Sequence, residues 1–308
     1  MELYQLRYLL AVADTGNFTK AAARSQISQP SLSQQIINLE QELGHKLFHR
    51  LGRRVVPTEA GRVLLDRARR IVLEVEDASK VLRDSPTLER HIKVGTVQTL
   101  APYLLPALLE RCREAHPNLQ INTHEDFRPD LVNGVVDGDL DLAIVPQPVK
   151  DPRISVEPLF TEPLLLVVGK NHPLATKTTI VAEDLAQENF VLLGHSSSLA
   201  MEIERFCGDH NFVPRLGHRC SQTDTVKAFV ALEAGISILP RIAAKPEDKA
   251  TLVYRELGGR APTREVVVIR HLQRYQTMGA EQFLKILRTT VEELVAAGEL
   301  KDAPAPDL

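Results

Sequence analysis

Between Ser25 and Glu40 the chain reads SQISQPSLSQQIINLE. Beside the apolar Ile27, Leu32, Ile36, Ile37 and Leu39, most of the run is Ser and Gln, where an ordinary solvated helix face carries Glu and Lys. Amides and hydroxyls make hydrogen bonds without fixed charge, which is what reading base edges in a major groove requires. Gln29 can bridge an adenine, Pro30 can touch a thymine methyl, Ser33 can donate to a base or a phosphate, and Gln34 shares their edge. Further on, Arg50, Arg53 and Arg54 cluster, and every formal charge between Leu43 and Thr58 is positive. Such guanidinium groups can follow phosphates or enter a minor groove, giving affinity with little sequence information.

The charge balance along the chain agrees. Residues 1–58 hold seven basic and four acidic residues, a net +3 in a chain whose total is −3, so the remainder is −6. A basic first module on an acidic body fits a polyanion partner for that module alone. A solvated charged loop explains the same count equally well.

These side chains need rigid elements behind them. Leu3, Leu6, Leu10 and Ala13 recur at helical spacing, with Leu9 and Val12 widening the stripe. TGN breaks that helix, Thr19 can cap a short second one through Arg24, and Ser25, Gln26 and Ile27 form a turn. In the third helix Ser28 can serve as N-cap, Pro30 falls in the first turn, and Leu32, Ile36, Leu39 and Leu43 face inward. Helix, tight turn and helix with a polar leading edge is the helix-turn-helix arrangement, whose second helix enters the major groove. Leu47–Phe48 and Val55–Val56 around Gly52 then predict a small β-ribbon, a wing with the arginines at its tip.

A long helix follows over 58–84, where Leu64, Ala68, Ile71, Val75, Ala78 and Leu82 step in a heptad pattern. The seam can pair with a second copy or pack on its own domain; the spacing of 3.5 favours pairing. Pro86 ends it. From His91 to Gly298, strand segments (HIKVG, LQINTHE, LDLAIV, LLLVVG, FVLLG, GISILP, EVVVIR) alternate with helical ones at 102–115, 130–136, 199–210, 223–234 and 281–297. The alternation predicts an α/β body of parallel sheets, in two lobes joined by crossover strands near Phe160 and Val266.

The stretch LRYLLAVADTGNFTKAAARSQISQPSLSQQIINLEQELGHKLFHR…RRVVPTEAG resembles the DNA-binding region of the LysR-type transcriptional regulators, and the likeness extends along the whole chain through VGTVQTLAPYLLPALLERCREAHPNLQI, VVDGDLDLAIV and VALEAGISILP. It implies a winged helix-turn-helix DNA-binding domain (1–58), a linker and dimerisation helix with hinge (59–89), and a two-lobed effector domain like periplasmic solute-binding proteins (90–300). Lobe one is expected at 90–161 and 267–300, lobe two at 162–266, and a disordered tail at 301–308. The implied partners are double-stranded promoter DNA, a small-molecule effector, further copies in a homodimer and homotetramer, and RNA polymerase. One departure stands at Ser25, where the family carries an apolar residue, so looser packing of the third helix is expected.

The resemblance also places effector contacts in the inter-lobe cleft: Gln98 and Thr99, then Arg128, then Ser196, Ser197 and Ser198, with Thr223 facing the same space. Hydroxyls and helix N-termini hold oxyanions, and Arg128 offers a fork suited to a carboxylate. The alternative is that Arg128 pairs with Glu125 or Asp126 and the serines only cap a helix. TLAPYLLP, EPLFTEPLLLVV and ERFCGDHNF liken the effector half to the peroxide-sensing, OxyR-like branch of the family. In that branch two cysteines form the switch; the second corresponds to Cys207, but Ser198 occupies the peroxidatic position, and a hydroxyl forms neither a sulfenic acid nor a disulfide. A Cys207–Cys220 pair is the alternative redox route.

Other classes fit poorly. GHSSS lacks the second glycine of a G-x-S-x-G elbow, and no Gly-rich phosphate loop or dinucleotide fingerprint occurs, so no enzyme is expected. Three cysteines without CxxC spacing argue against a structural zinc site or disulfide framework, and no cofactor or metal is expected. No apolar run nears the ~20 residues of a membrane span, which places the protein in the cytoplasm.

Overall fold

The computed structural model describes residues 1–51, 54–83, 90–298 and 300–302. Gly52 and Arg53, and with them the expected wing tip, lie outside the described residues. The chain divides into two compact units, Met1–Ser85 and Pro86–Leu308.

In the first unit α1 (Leu3–Thr15) runs into Gly16, whose φ of 59° lets the helix end in a left-handed turn. The short α2 (Phe18–Arg24) is capped by Asn17 rather than Thr19. The Asn17 Oδ1 accepts from the Thr19 and Lys20 N–H groups at 2.8 and 3.1 Å, a reach suited to the residue just before the first turn. In α3 (Gln29–Leu43), Ser28 Oγ accepts from Ser31 N–H at 3.2 Å and Pro30 sits in the first turn, as its spacing predicts. Leu32, Ile36 and Leu39 are sealed in the core with Leu9, Phe18 and Phe48. Ser25 therefore does not loosen this packing; half-buried, it ends α2 by donating its N–H to Ala21.

The wing strands β1 (Phe48–Leu51) and β2 (Arg54–Pro57) pair antiparallel, and Val55 N–H bonds to Gly16 O at 3.0 Å. The buried Glu40 fixes the wing's root to α3, accepting from Leu47 N–H at 2.8 Å and Lys46 Nζ at 2.7 Å. Thr58 begins α4 (Glu59–Arg83): its Oγ1 accepts from Gly61 N–H and donates to Lys46 O. A Cβ on Gly61 would stand 2.1 Å from the Leu47 carbonyl oxygen, so only glycine permits this close approach.

The expected seam on α4 divides in two. Ala68 joins Leu65 and Val72 in the unit's own core, because 3.6 residues per turn carry the stripe around the helix. Ile71 and Val75 remain 40% exposed each, with Val63, Ala78 and Val81 also open.

In the second unit β3 (Arg90–Thr96), α5 (Ala101–Ala115), β4 (Leu119–Glu125), α6 (Arg128–Asp137) and β5 (Leu142–Pro146) alternate. The 16-residue β6 (Ile154–Gly169) follows, then α7 (Pro173–Thr176), β7 (Asn189–Leu193), α8 (Ser198–Asp209), β8 (Arg215–Cys220), α9 (Thr223–Ala231), β9 (Ser237–Pro240) and β10 (Leu252–Arg255). β11 (Thr263–His271), α10 (Met278–Ala296) and β12 (Lys301–Asp302) close the chain.

The main sheet runs β10-β6-β11-β5-β3-β4 and is mixed, correcting the parallel expectation: β3 is parallel to β4 and β5, whereas β11 is antiparallel to both β5 and β6. β6 and β11 are long return strands, and a strand that carries the chain between lobes and back must reverse direction.

One core gathers Ile92 to Phe160 with Val266 to Val291; the other runs from Leu164 to Leu257. Phe160 on β6 and Val266 on β11 belong to the first core, and Leu164 and Leu257 to the second. Lys301 and Asp302 pair with Thr161 and Phe160 of β6, so that part of the expected disordered tail is a short strand; 303–308 lie outside the described residues.

Candidate functional site

On the first unit, Pro30 and Gln34 are exposed at the start of α3, and Gln29 and Ser33 are half-buried on the same edge. Gln34 donates to Asn38 at 2.9 Å, and Ser28 and Ser31 share a hydrogen bond, so these side chains have defined orientations. Arg50 reaches across from the wing: its guanidinium lies 4.5 Å above the Phe18 ring and donates to Ser33 Oγ at 3.0 Å. Cation–π stacking and this bond hold the arginine against α3 and join wing and helix into one polar, cationic surface. Arg54 is exposed beside it, and Arg53 is outside the described residues.

On the second unit, Val97, Gln98, Thr99, Asp126, Phe127, Arg128, Ser197 and Ser198 line one small inter-lobe cavity of about 10 Å³, the size of one water molecule. Five of the seven sequence-predicted effector residues therefore meet. Ser196 is exposed and off the cavity wall, and Thr223 is buried away from it. Larger hollows of about 150 Å³ beside Arg270 and Tyr275, and about 600 Å³ between α5 and the edge strand β4, bring none of these residues together.

Arg128 lines the cavity and is braced by backbone rather than by Glu125 or Asp126. Its Nη1 donates to the Gln147 and Pro146 carbonyl oxygens at 2.8 and 3.2 Å, so its hydrogen bonds go neither to a carboxylate neighbour nor freely into the cleft. Burial lowers its pKa, opposed by Glu202 on the facing α8. Ser197, the N-cap of α8, makes no side-chain cap bond, which leaves the helix's first N–H groups open.

Behind the cavity lies a cluster that periodicity does not reveal. Glu162 on β6 and Arg264 on β11 are register partners at the lobe crossing, with side chains 0% and 4% exposed and 2.7 Å apart. Arg264 Nη1 also donates to Thr99 Oγ1 at 2.7 Å, and Glu162 accepts from Ile242 N–H at 2.9 Å.

Tyr103 extends from α5 into the second lobe, its ring 5.5 and 5.3 Å from the Lys227 and Lys245 ammonium groups. Burial, and then Asp224, raises its phenol pKa; Thr223 acts the other way. Lys227 is itself buried and donates to Asp248 at 2.7 Å, and Tyr254 donates to the same carboxylate at 2.6 Å. Burial raises the Asp248 pKa, but these two bonds and the Lys245 N–H lower it further. Glu162, set between Phe160 and the apolar run from Leu164 in β6, was the sequence signal available for this cluster.

All three cysteines are free and buried. Burial pushes the Cys207 thiol up to about 12, helped by Glu204, and Cys112 to about 11; Cys220 also moves up. Cys207 is therefore held as the unreactive thiol at pH 8. Iodoacetamide should label the native protein far more slowly than the same chain unfolded in urea, read by intact mass. Equal labelling rates would contradict this burial.

Comparisons with known proteins agree with the two-unit architecture. Residues 3–62 match the bacterial regulatory helix-turn-helix protein family, lysR type, and residues 86–292 match the LysR substrate binding domain. The chain is 34% identical over 251 residues to the DNA-binding transcriptional dual regulator OxyR of Escherichia coli K12, covering 81% of this chain and 82% of that protein. It is 32% identical over 297 residues to the hydrogen peroxide-inducible genes activator of Pectobacterium carotovorum, covering 89% and 98%. A full-length OxyR variant from Pseudomonas aeruginosa shares the fold, with a TM-score of 0.73 at 24% identity over 100% of this chain and 99% of that one. The winged helix-turn-helix joined to a two-lobed domain defines a transcription regulator with DNA-binding and effector-binding parts. The chain belongs to the LysR family.

Proposed function

We propose that the chain is a cytoplasmic regulator that reads promoter DNA with Gln29, Pro30, Ser33 and Gln34, while Arg50, Arg53 and Arg54 engage the backbone or minor groove. The observation that carries this reading is the Arg50 bridge, which presents the wing's charge and the α3 edge on one surface. It works as a homodimer through the open Ile71–Val75 stripe of α4, and as a homotetramer through further contacts between effector units. RNA polymerase is the partner at the promoter. No helix among the described residues is long and apolar enough to cross a membrane. Val75→Glu should convert the solution species to a smaller one by light scattering; an unchanged mass would place the dimer contact elsewhere.

The effector is a small oxyanion, a carboxylate, held by Thr99, Gln98, Ser197, Ser198 and the open N–H groups of α8, with Arg128 adding charge at the rim; Ser196 and Thr223, off the cavity wall, meet only a ligand that opens the cleft further. A thermal-shift screen of small carboxylates tests it: a ligand at 100 times its Kd adds about 2.7 kcal/mol. Arg128→Ala should weaken the hit about tenfold, since only the electrostatic share of its contact is lost. A hit that binds the variant equally well would make Arg128 a brace for the 146–147 carbonyls alone.

A redox regulator using Cys207 and Cys220 is the second reading, favoured by relatives named hydrogen peroxide-inducible genes activators and by the shared lobe-two core of the two thiols. Ser198, where the family resemblance puts the peroxidatic cysteine, and the raised thiol pKa values weigh against it.

A further inference from the structure

The cavity of about 150 Å³ lies at the end of the lobe-one strands remote from the inter-lobe cleft. β3 runs toward Val97–Thr99 and the cleft, and β5 is parallel to it, so Asp141, just before β5, marks the opposite end. There β11 and β6 pair antiparallel, with Arg270 and Ser155 as register partners. The cavity wall carries charges of both signs: Arg270 at the end of β11, Arg274 beyond it, and Asp141. Arg270 Nη2 donates to Glu157 at 3.2 Å, but Arg288 also donates to Glu157, at 2.7 Å, so one carboxylate serves two guanidinium groups. Arg270 Nη1 donates to Gln276 Oε1, and its Nε is buried with no hydrogen bond. An unmet buried donor is costly, and an anionic acceptor satisfies it best. Asp141 accepts the Lys93 N–H at 2.9 Å through one oxygen, and a carboxylate has further acceptor positions to offer a cation.

We infer that this cavity is a second small-molecule site, separate from the cleft, and that it takes a zwitterion of the α-amino acid class. The carboxylate lies against Arg270 and Arg274, whose planar forks suit it, and the ammonium lies against Asp141. A ligand with one charge alone sets hydrocarbon against the opposite wall charge, which is unfavourable away from water. Volume limits the side chain. A cavity of about this size accommodates benzene, with about six heavy atoms, and alanine matches that count.

Titration calorimetry of the full chain with L-alanine, propionate and ethylammonium, at matched ionic strength, tests this. L-Alanine should bind saturably, and propionate and ethylammonium about tenfold more weakly or less. Asp141→Asn should weaken L-alanine about tenfold and leave propionate as it was. Arg274→Gln should weaken L-alanine by a similar factor and leave ethylammonium as it was. Ser155→Phe fills the cavity and should abolish binding, whereas Ser198→Trp, which fills the inter-lobe cavity, should change nothing. Circular dichroism checks that each variant is folded, and the two charge variants decide the matter if Ser155→Phe is not. Propionate that binds wild type as tightly as L-alanine overturns the zwitterion assignment. L-Alanine binding that survives Ser155→Phe, or is lost in Ser198→Trp, puts the ligand elsewhere and overturns the site. Absence of saturable heat with wild type overturns the inference directly.

Discussion

Glu162→Gln is expected to destabilise the effector unit by about 3–5 kcal/mol, a fall in its unfolding midpoint of about 10 °C. The substitution keeps the side chain's shape but leaves the Arg264 guanidinium, 4% exposed, without its counter-charge. Removing one partner of a buried pair leaves an uncompensated ion in low dielectric, which costs more than the pair itself contributes. The pair also holds the Thr99 hydroxyl and the Ile242 backbone N–H, so its loss frees both. Replacing both members by methionine should recover most of the loss, because the ion then disappears along with its desolvation cost. Calorimetry of wild type, single and double variants checks this. A single variant as stable as wild type would mean that water reaches the crossing and solvates Arg264.

Much of this architecture was legible because burial writes periodicity into sequence. Leu32, Ile36 and Leu39 announce α3, and the apolar runs at 142–146 and 237–240 announce strands sealed on both faces. Among the elements that escaped, with α7, β10 and β12, β8 reads RLGHRC; it is largely exposed at a sheet edge, so no alternation or apolar run marks it. Sheet direction escaped for a different reason, since strand order depends on β6 and β11 pairing with each other across more than a hundred residues.

At the site, residue types were readable and their hydrogen-bond partners were not. Ser197 and Thr99 could be expected in the cleft, but that Arg128 Nη1 donates to backbone carbonyls is a consequence of how β5 ends beside α6. Likewise, Tyr103 looks like any helical aromatic until α5 is docked, when it projects into the second lobe's core.

Gln29→Ala and Arg50→Ala should differ in kind rather than degree. Gln29 is an uncharged amide at the leading edge of α3, and a lost bidentate base contact costs about 1–3 kcal/mol on the cognate promoter. On random DNA that contact is not made, so the variant should bind it as wild type does. Arg50 carries charge, and its removal takes away one phosphate interaction on any sequence, lowering the salt slope of log K by about 1. It also releases Ser33 Oγ and uncovers the Phe18 ring, so part of the α3 edge loses its brace. Arg50→Ala should therefore weaken both DNAs together and, through Ser33, narrow the ratio between them. Titrations with both DNAs over a range of salt separate the two effects. If Gln29→Ala instead lost equally on both, Gln29 would be a positioning contact, and readout would pass to Ser33 and Gln34.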